Sequence, residues 1–263
     1  MATTARPALH VAQDPADWLP ACVIMGGVAL AFVPFVISLG TPALVMVWLA
    51  SFAARSIAPV HQHCHAHYRV FRSGIANAGY DVVLMLAAGN TTAIWELQHV
   101  HGHHQTYLTP ELDPAGTQRF GHPGRWQRAL FTVLGDARSF TDSLAVARAR
   151  RPRLLARLWR QQLLQLGVIA GFVIADPLLT LVFVIVPNIV LRWTVFWFSY
   201  AQHHDVPLAD VYSGSVTHFG WQNRLYLNVG HHTAHHEKPT LHWSRLPVRT
   251  AQIVERIPAS CLR

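Results

Sequence analysis

The chain has 263 residues, about half of them apolar and only 13% charged, with Lys plus Arg exceeding Asp plus Glu by eight. Positive mean hydropathy and long uncharged runs exclude an ordinary soluble domain. The basic excess, nearly all arginine and interrupted by apolar runs, fits a membrane protein with arginines on its cytosolic side rather than a nucleic-acid-binding surface.

In chain order, residues 1–16 are polar and read as a loose cytosolic tail with no signal peptide. Trp18 to Leu39 is free of charge and long enough to cross a bilayer as a helix. Gly40, Thr41 and Pro42 make a turn, Ala43 to Ala54 continues apolar, and Arg55 ends the run. Residues 75–98 are moderately apolar but interrupted at Gly89 and Asn90, and read as an interfacial or re-entrant segment. A second hairpin follows, Leu163 to Ala175 and Leu178 to Tyr200, broken at Asp176-Pro177. Its one interior charge, Arg192, should face protein or water. The whole chain, 1–263, thus reads as one all-α membrane domain with spans at about 18–39, 42–58, 160–175 and 178–200.

Arg148, Arg150, Arg151, Arg153, Arg157 and Arg160 precede the second hairpin, and Arg55, Arg69 and Arg72 follow the first. The positive-inside rule then puts both termini on the cytosolic face. The arginine run reads as facing lipid headgroups, with docking of an acidic electron or acyl carrier as the other reading. The three cysteines, Cys22, Cys64 and Cys261, are too scattered for a disulfide framework.

Histidine is the outlier. Most of the 18 fall in four clusters. In the first, helical spacing puts His61 with His65 on one face and His63 with His67 on the other, so only one pair can enter a given site. In the second, His99 and His103 stand four apart and can reach one metal, His104 can reach another, and His101 points away. The third is His203-His204. The fourth is His231, His232, His235 and His236. Neutral imidazole suits iron, copper, zinc or nickel, and four converging clusters offer about twice the ligands one tetrahedral zinc needs. Glu96 and Glu237 are too few for a carboxylate-bridged di-iron bundle. His10, His122, His218 and His242 stand alone and read as packing residues.

These clusters resemble the three histidine boxes of the membrane fatty acid desaturase superfamily, which includes membrane hydroxylases and alkane monooxygenases. His63-Cys-His-Ala-His67 is similar to the first box, His99-Val-His-Gly-His103-His104 to the second and His232-Thr-Ala-His235-His236 to the third. Asn228 and Gly230 before the third box, and Trp243-Ser-Arg-Leu-Pro247 after it, are also similar. His203 resembles the family's additional ligand, with Ser199 where relatives often carry Asn. The resemblance implies four spanning helices in two hairpins and a cytosolic helical cap holding two irons. Their ligands would be His63, His67, His99, His103, His104, His203, His232, His235 and His236. It leaves His61, His65, His101, His204, His231, Ser199 and Asn228 as supporting or alternate groups. It implies O2 as co-substrate, a lipid or acyl substrate, and an external ferredoxin or cytochrome with its reductase as electron donor. Desaturation is the first expectation and hydroxylation of an alkyl or acyl chain the alternative. A non-enzymatic membrane metal transporter is a third reading, against which the nearly uncharged spans argue.

Overall fold

A computed structural model describes residues 11–120 and 124–263. His10, His122 and most of the N-terminal tail lie outside the described residues. Among the described residues regular structure is entirely helical, with two isolated β-bridges.

Four helical stretches are long and apolar enough to cross a membrane: Pro15–Phe35, Thr41–His67, Pro152–Ala175 and Pro177–His203. The first contains α1 (Trp18–Phe32) and ends earlier than hydropathy suggests, because Pro34 tightens its last turn and Ser38-Leu39-Gly40 is already irregular. The second holds α2 (Thr41–Arg55) and α3 (Ala58–His67), separated only by a turn at Ser56-Ile57. The first histidine box is therefore the end of a membrane helix. At Gly27 the first two stretches pack so closely that a Cβ would lie 2.8 Å from that of Ala54.

Next comes α4 (Gly74–Ala88), 15 residues and too short to span. Gly89 ends it with φ +70°, a left-handed cap that disfavours any side chain. A continuous helix then runs through α5 (Thr92–Ile94), a π-helical stretch Trp95–His103, and α6 (His104–Thr106). The amphipathic α7 (Arg125–Arg150), for which the sequence carries no clear apolar run, packs on this helix and on the last span. The third span is α8 (Pro152–Ala175). The fourth is α9 (Pro177–Thr180), a second π-helical stretch Leu181–Ile185, and α10 (Val186–His203). Asp176 caps its start by accepting a hydrogen bond from the Leu179 amide at 2.9 Å. The C-terminal segment carries α11 (Gln222–Leu225), α12 (His232–Glu237) and α13 (Leu246–Ile253).

Several arginines sit differently from the expectation. Arg55 does not cap a cytosolic end; it is buried between helices and donates to the carbonyls of Ala87 (3.0 Å), Phe183 (2.9 Å) and Leu86 (3.4 Å) and to the Asn188 side chain. The Phe183 carbonyl is free to accept because the residue four on, Pro187, has no backbone N–H to bond it. Arg69, just past α3, and Arg157 pair with Asp81 and Glu96, and His65 on α3 joins them through Asp81, in a network tying α3, α4, the box-two helix and α8 together. Arg192 faces protein as expected, paired with Asp136 at 2.9 Å and donating to the Gly89 carbonyl at 2.7 Å. Residues 11–16 are not a loose tail. Their backbone pairs with residues 70–72, through Gln13 N–H to the Val70 carbonyl (2.8 Å) and Arg72 N–H to the Val11 carbonyl (3.0 Å).

Candidate metal centre

The chain brings nine histidines from α3, the box-two helix, α10 and α12 into two adjoining groups. His63, His67, His99, His104 and His235 each offer a ring nitrogen within 4.8 Å of the others, and so do His103, His203 and His236. His232 completes the second group, its Nε2 2.9 Å from that of His203 and 3.2 Å from that of His236. Two adjacent pairs, His103-His104 and His235-His236, send one ring to each group, because neighbouring residues on a helix point about 100° apart. The groups therefore lie side by side, with the rings of His104 and His236 stacked at 4.4 Å.

The helical i, i+4 expectation for box two is corrected. His99 does not share a group with His103; it shares one with His104, five residues on, their Nε2 atoms 3.0 Å apart. The cause is the π-helix, in which the His104 amide bonds back to the His99 carbonyl. That wider turn places residues i and i+5 on one face.

The donor chemistry fits metal ions. In the second group the Nε2 of His203 lies within 2.9–3.3 Å of three other Nε2 atoms. One ring N–H can satisfy only one of them, so converging lone pairs need a shared cation. In the first group the buried Nε2 of His67 has no hydrogen-bond partner. Burial pushes His99, His104, His232, His235 and His236 well below the usual imidazole range, and positive charge on neighbouring rings would push them the same way. All five are therefore neutral at pH 7 and keep a lone pair to offer.

Asp113 completes the site, and sequence reading gave it no role although it follows box two. It accepts from His103 Nδ1–H at 2.9 and 3.1 Å, which turns the lone pair of Nε2 into the second group. Burial pushes its carboxyl up, but the His103 ring and the Ala115 amide outweigh this and leave it below the usual carboxylate range.

The supporting residues divide. His61 donates to Asp17 (3.2 Å) and accepts from Tyr80 (2.7 Å). His65 donates to Asp81 (3.1 Å) and accepts from the Val70 amide (3.2 Å). Both ring nitrogens of each are thus hydrogen-bonded away from the two groups, and neither ring is among the converging nitrogens. His101 turns outward to Arg151, His204 stacks on Tyr200, and His231 meets Thr250. His218 and His242 also lie outside both groups, as expected. Asn228 donates to the Trp243 carbonyl rather than touching a histidine. Among the described residues Ser199 makes no side-chain hydrogen bond. Glu96 and Glu237 are held by arginines.

Beside the first group lies a narrow apolar cavity of about 10 Å³, walled by Val60, Tyr68, Leu227, Val229, Leu241 and Trp243. Cys64 packs against it.

The fold and site define a multi-pass helical protein whose membrane helices end in a buried polyhistidine centre. The family model described as fatty acid desaturase matches residues 38–263. The chain therefore belongs to the fatty acid desaturase family. It is also similar to a sphingolipid delta(4)-desaturase from Komagataella phaffii (strain GS115 / ATCC 20864), 41% identical over 49 residues, which is 19% of this chain. That match spans only 12% of the relative's length.

Proposed function

We propose that this chain is an O2-dependent di-iron oxidoreductase that introduces a double bond into the hydrocarbon chain of a lipid. One observation carries the reading: nine imidazoles converge in two adjoining groups at the ends of membrane helices. His63, His67, His99, His104 and His235 would hold one iron, and His103, His203, His232 and His236 the other. Five and four neutral nitrogen donors leave open positions on six-coordinate ions. When bound, the two irons supply O2 activation and the oxidising power to remove hydrogen from an unactivated methylene.

The protein's own residues set the conditions. Asp113 fixes the His103 tautomer. The apolar cavity at the first group is the place for the methylene. At about 10 Å³ it has room for roughly one water. Its walls must therefore part to admit a chain, and closure afterwards excludes water from the reacting carbons. Trp243 is the wall held most firmly, through its indole N–H to Asp17 at 2.9 Å and its carbonyl to Asn228. The balanced reaction converts R–CH2–CH2–R′, O2, two electrons and two protons into R–CH=CH–R′ and two waters. The electrons come from an external ferredoxin or cytochrome. Family membership and the sphingolipid desaturase match support a lipid substrate. The exposed arginines at the α7–α8 junction support placing the histidines and both termini on the cytosolic side.

The test is a product assay. Purified protein in detergent receives a reduced carrier, O2 and host lipid extract, and products are read by mass spectrometry. Loss of two hydrogens from an acyl chain bears the proposal out. Gain of one oxygen moves the reading to a hydroxylase. Metal flux across vesicles without O2 consumption would replace it with transport.

A further inference from the structure

The apolar cavity beside the first group has two sides. One is α3 with Tyr68, which brings His63 and His67; the other is the C-terminal segment, which brings His235 and Trp243. A hydrocarbon chain lying between them is registered against the metal centre only if the second side is fixed relative to the first. A misplacement of about 1 Å in a bound substrate can cost roughly 100-fold in rate.

A fastener lies at the start of the chain. Asp14 caps a single turn at Pro15–Asp17, accepting from the Ala16 amide at 3.0 Å. The backbone ahead of that turn is bonded to the chain just past α3, Gln13 to Val70 and Arg72 to Val11. Asp17 is thereby carried to the seam between the two sides, where its side chain is completely buried. One oxygen, Oδ1, lies 3.2 Å from His61 Nε2 on α3, 2.9 Å from the indole Nε1 of Trp243 and 3.2 Å from His242 Nε2. Burying a carboxylate is costly unless donors surround it. Here the donors come from both sides of the cavity.

His61 stands two residues before the ligand His63 on the same helix. Its other ring nitrogen accepts from the Tyr80 hydroxyl, which leaves Nε2 to donate to Asp17. A single carboxylate therefore registers the Trp243 indole to the helix that carries two ligands of the first group. Tyr68 repeats the tie from within the cavity, its hydroxyl 3.5 Å from the Trp243 amide and its ring 5.3 Å from that of His242. Among the described residues neither Asp17 nor Trp243 hydrogen-bonds a ligand histidine, so both can be altered without touching the donor set.

We propose that Trp243 selects which carbons of the hydrocarbon chain meet the metal centre, and that Asp17 is its positioning residue. This rests on the desaturase reading of the site. The indole is a rigid wall, and its bond to Asp17 gives that wall one place to stand. The stretch of chain that faces His63, His67 and His235 is set by where the wall stands.

The experiment uses the full-length, iron-loaded protein in detergent and has two readouts. The first is the position of the double bond in products formed from host lipid extract, read by ozone-induced dissociation mass spectrometry. The second needs no turnover. Cys64 lines the cavity and is buried, so its alkylation by N-ethylmaleimide, located by peptide mass spectrometry, reports how often the two sides part. The exposed Cys22 is the reference thiol. Trp243→Phe keeps a ring and removes the N–H. Loss of a hydrogen bond to a charged acceptor should raise the Cys64 rate roughly tenfold or more. Products should spread over neighbouring bond positions while iron content stays unchanged. Asp17→Asn should act in the same direction, and the double variant should go no further than Asp17→Asn alone. Arg245→Gln, which removes only an exposed pair with Asp14, should match the wild type in both readouts. Trp243→Phe decides the question if Asp17→Asn does not fold. A single, wild-type bond position in Trp243→Phe, an unchanged Cys64 rate, or loss of iron from the folded variant would each overturn the proposal. A wild type that yields no desaturated product would overturn the desaturase reading, and the Cys64 rates would still judge the hold of Asp17 on Trp243.

Discussion

Asp113→Asn separates the two metal groups. Asp113 accepts from His103 Nδ1–H at 2.9 Å, is buried, and acts otherwise only through its charge on His203, a member of the same group. Asparagine keeps the shape but removes the charge, so His103 loses basicity and its tautomer is no longer held. Loss of such a partner typically weakens metal binding 10- to 100-fold, or about 1.4–2.8 kcal/mol. The first group has no contact with Asp113 and should be unaffected. Wild-type and variant proteins, loaded with ferrous iron, would be dialysed against graded chelator and counted for metal. The variant should lose half its metal at roughly 10- to 100-fold lower chelator and the other half at the wild-type concentration. Asp113→Glu should restore part of the difference. Coincident curves for variant and wild type would refute the role given to Asp113.

Other outcomes follow from the same geometry. His65→Gln should lower the thermal midpoint by disturbing the Asp81 network, yet keep full metal content; metal loss in a folded variant would show that His65 is a ligand after all. Arg55→Met strands the carbonyls of Ala87 and Phe183 and the Asn188 side chain, all buried, each worth about 1–3 kcal/mol if left unsatisfied. It should therefore fall several degrees or more in a detergent melting assay, and an unchanged midpoint would contradict its bridging role. The metal-free protein should lose stability as pH falls below about 6.5. The folded-state pKa values of His232, His235 and His236 are depressed by burial, so the unfolded chain binds more protons in that window. The slope is up to roughly 4 kcal/mol per pH unit for these three, and a melting midpoint flat from pH 7.5 to 5 would exclude neutral, buried rings.

The parts of the fold that could be read from sequence rest on local signals. Uncharged runs mark the four membrane helices, and histidine spacing separates His63 and His67 from His61 and His65, because both patterns are carried by consecutive residues. What escaped depends on long-range packing or unusual backbone. The partition of His99 and His103 needs the π-helix, and box two with its single Gly102 does not announce one. Asp113 lies ten residues beyond His103 in a loop, where sequence gives no distance. Arg55 looks like a span terminator until the carbonyls of Ala87 and Phe183 are seen to converge on it. α7 was hidden by its mixed composition, which marks an amphipathic helix rather than a linker.

The most direct test of the central claim is anomalous X-ray scattering at the iron edge from crystals of the aerobically purified, iron-loaded protein. Two iron peaks are expected, one among His63, His67, His99, His104 and His235 and one among His103, His203, His232 and His236. A single peak, a peak at the zinc edge alone, or iron bound at His61 or His65 would contradict it.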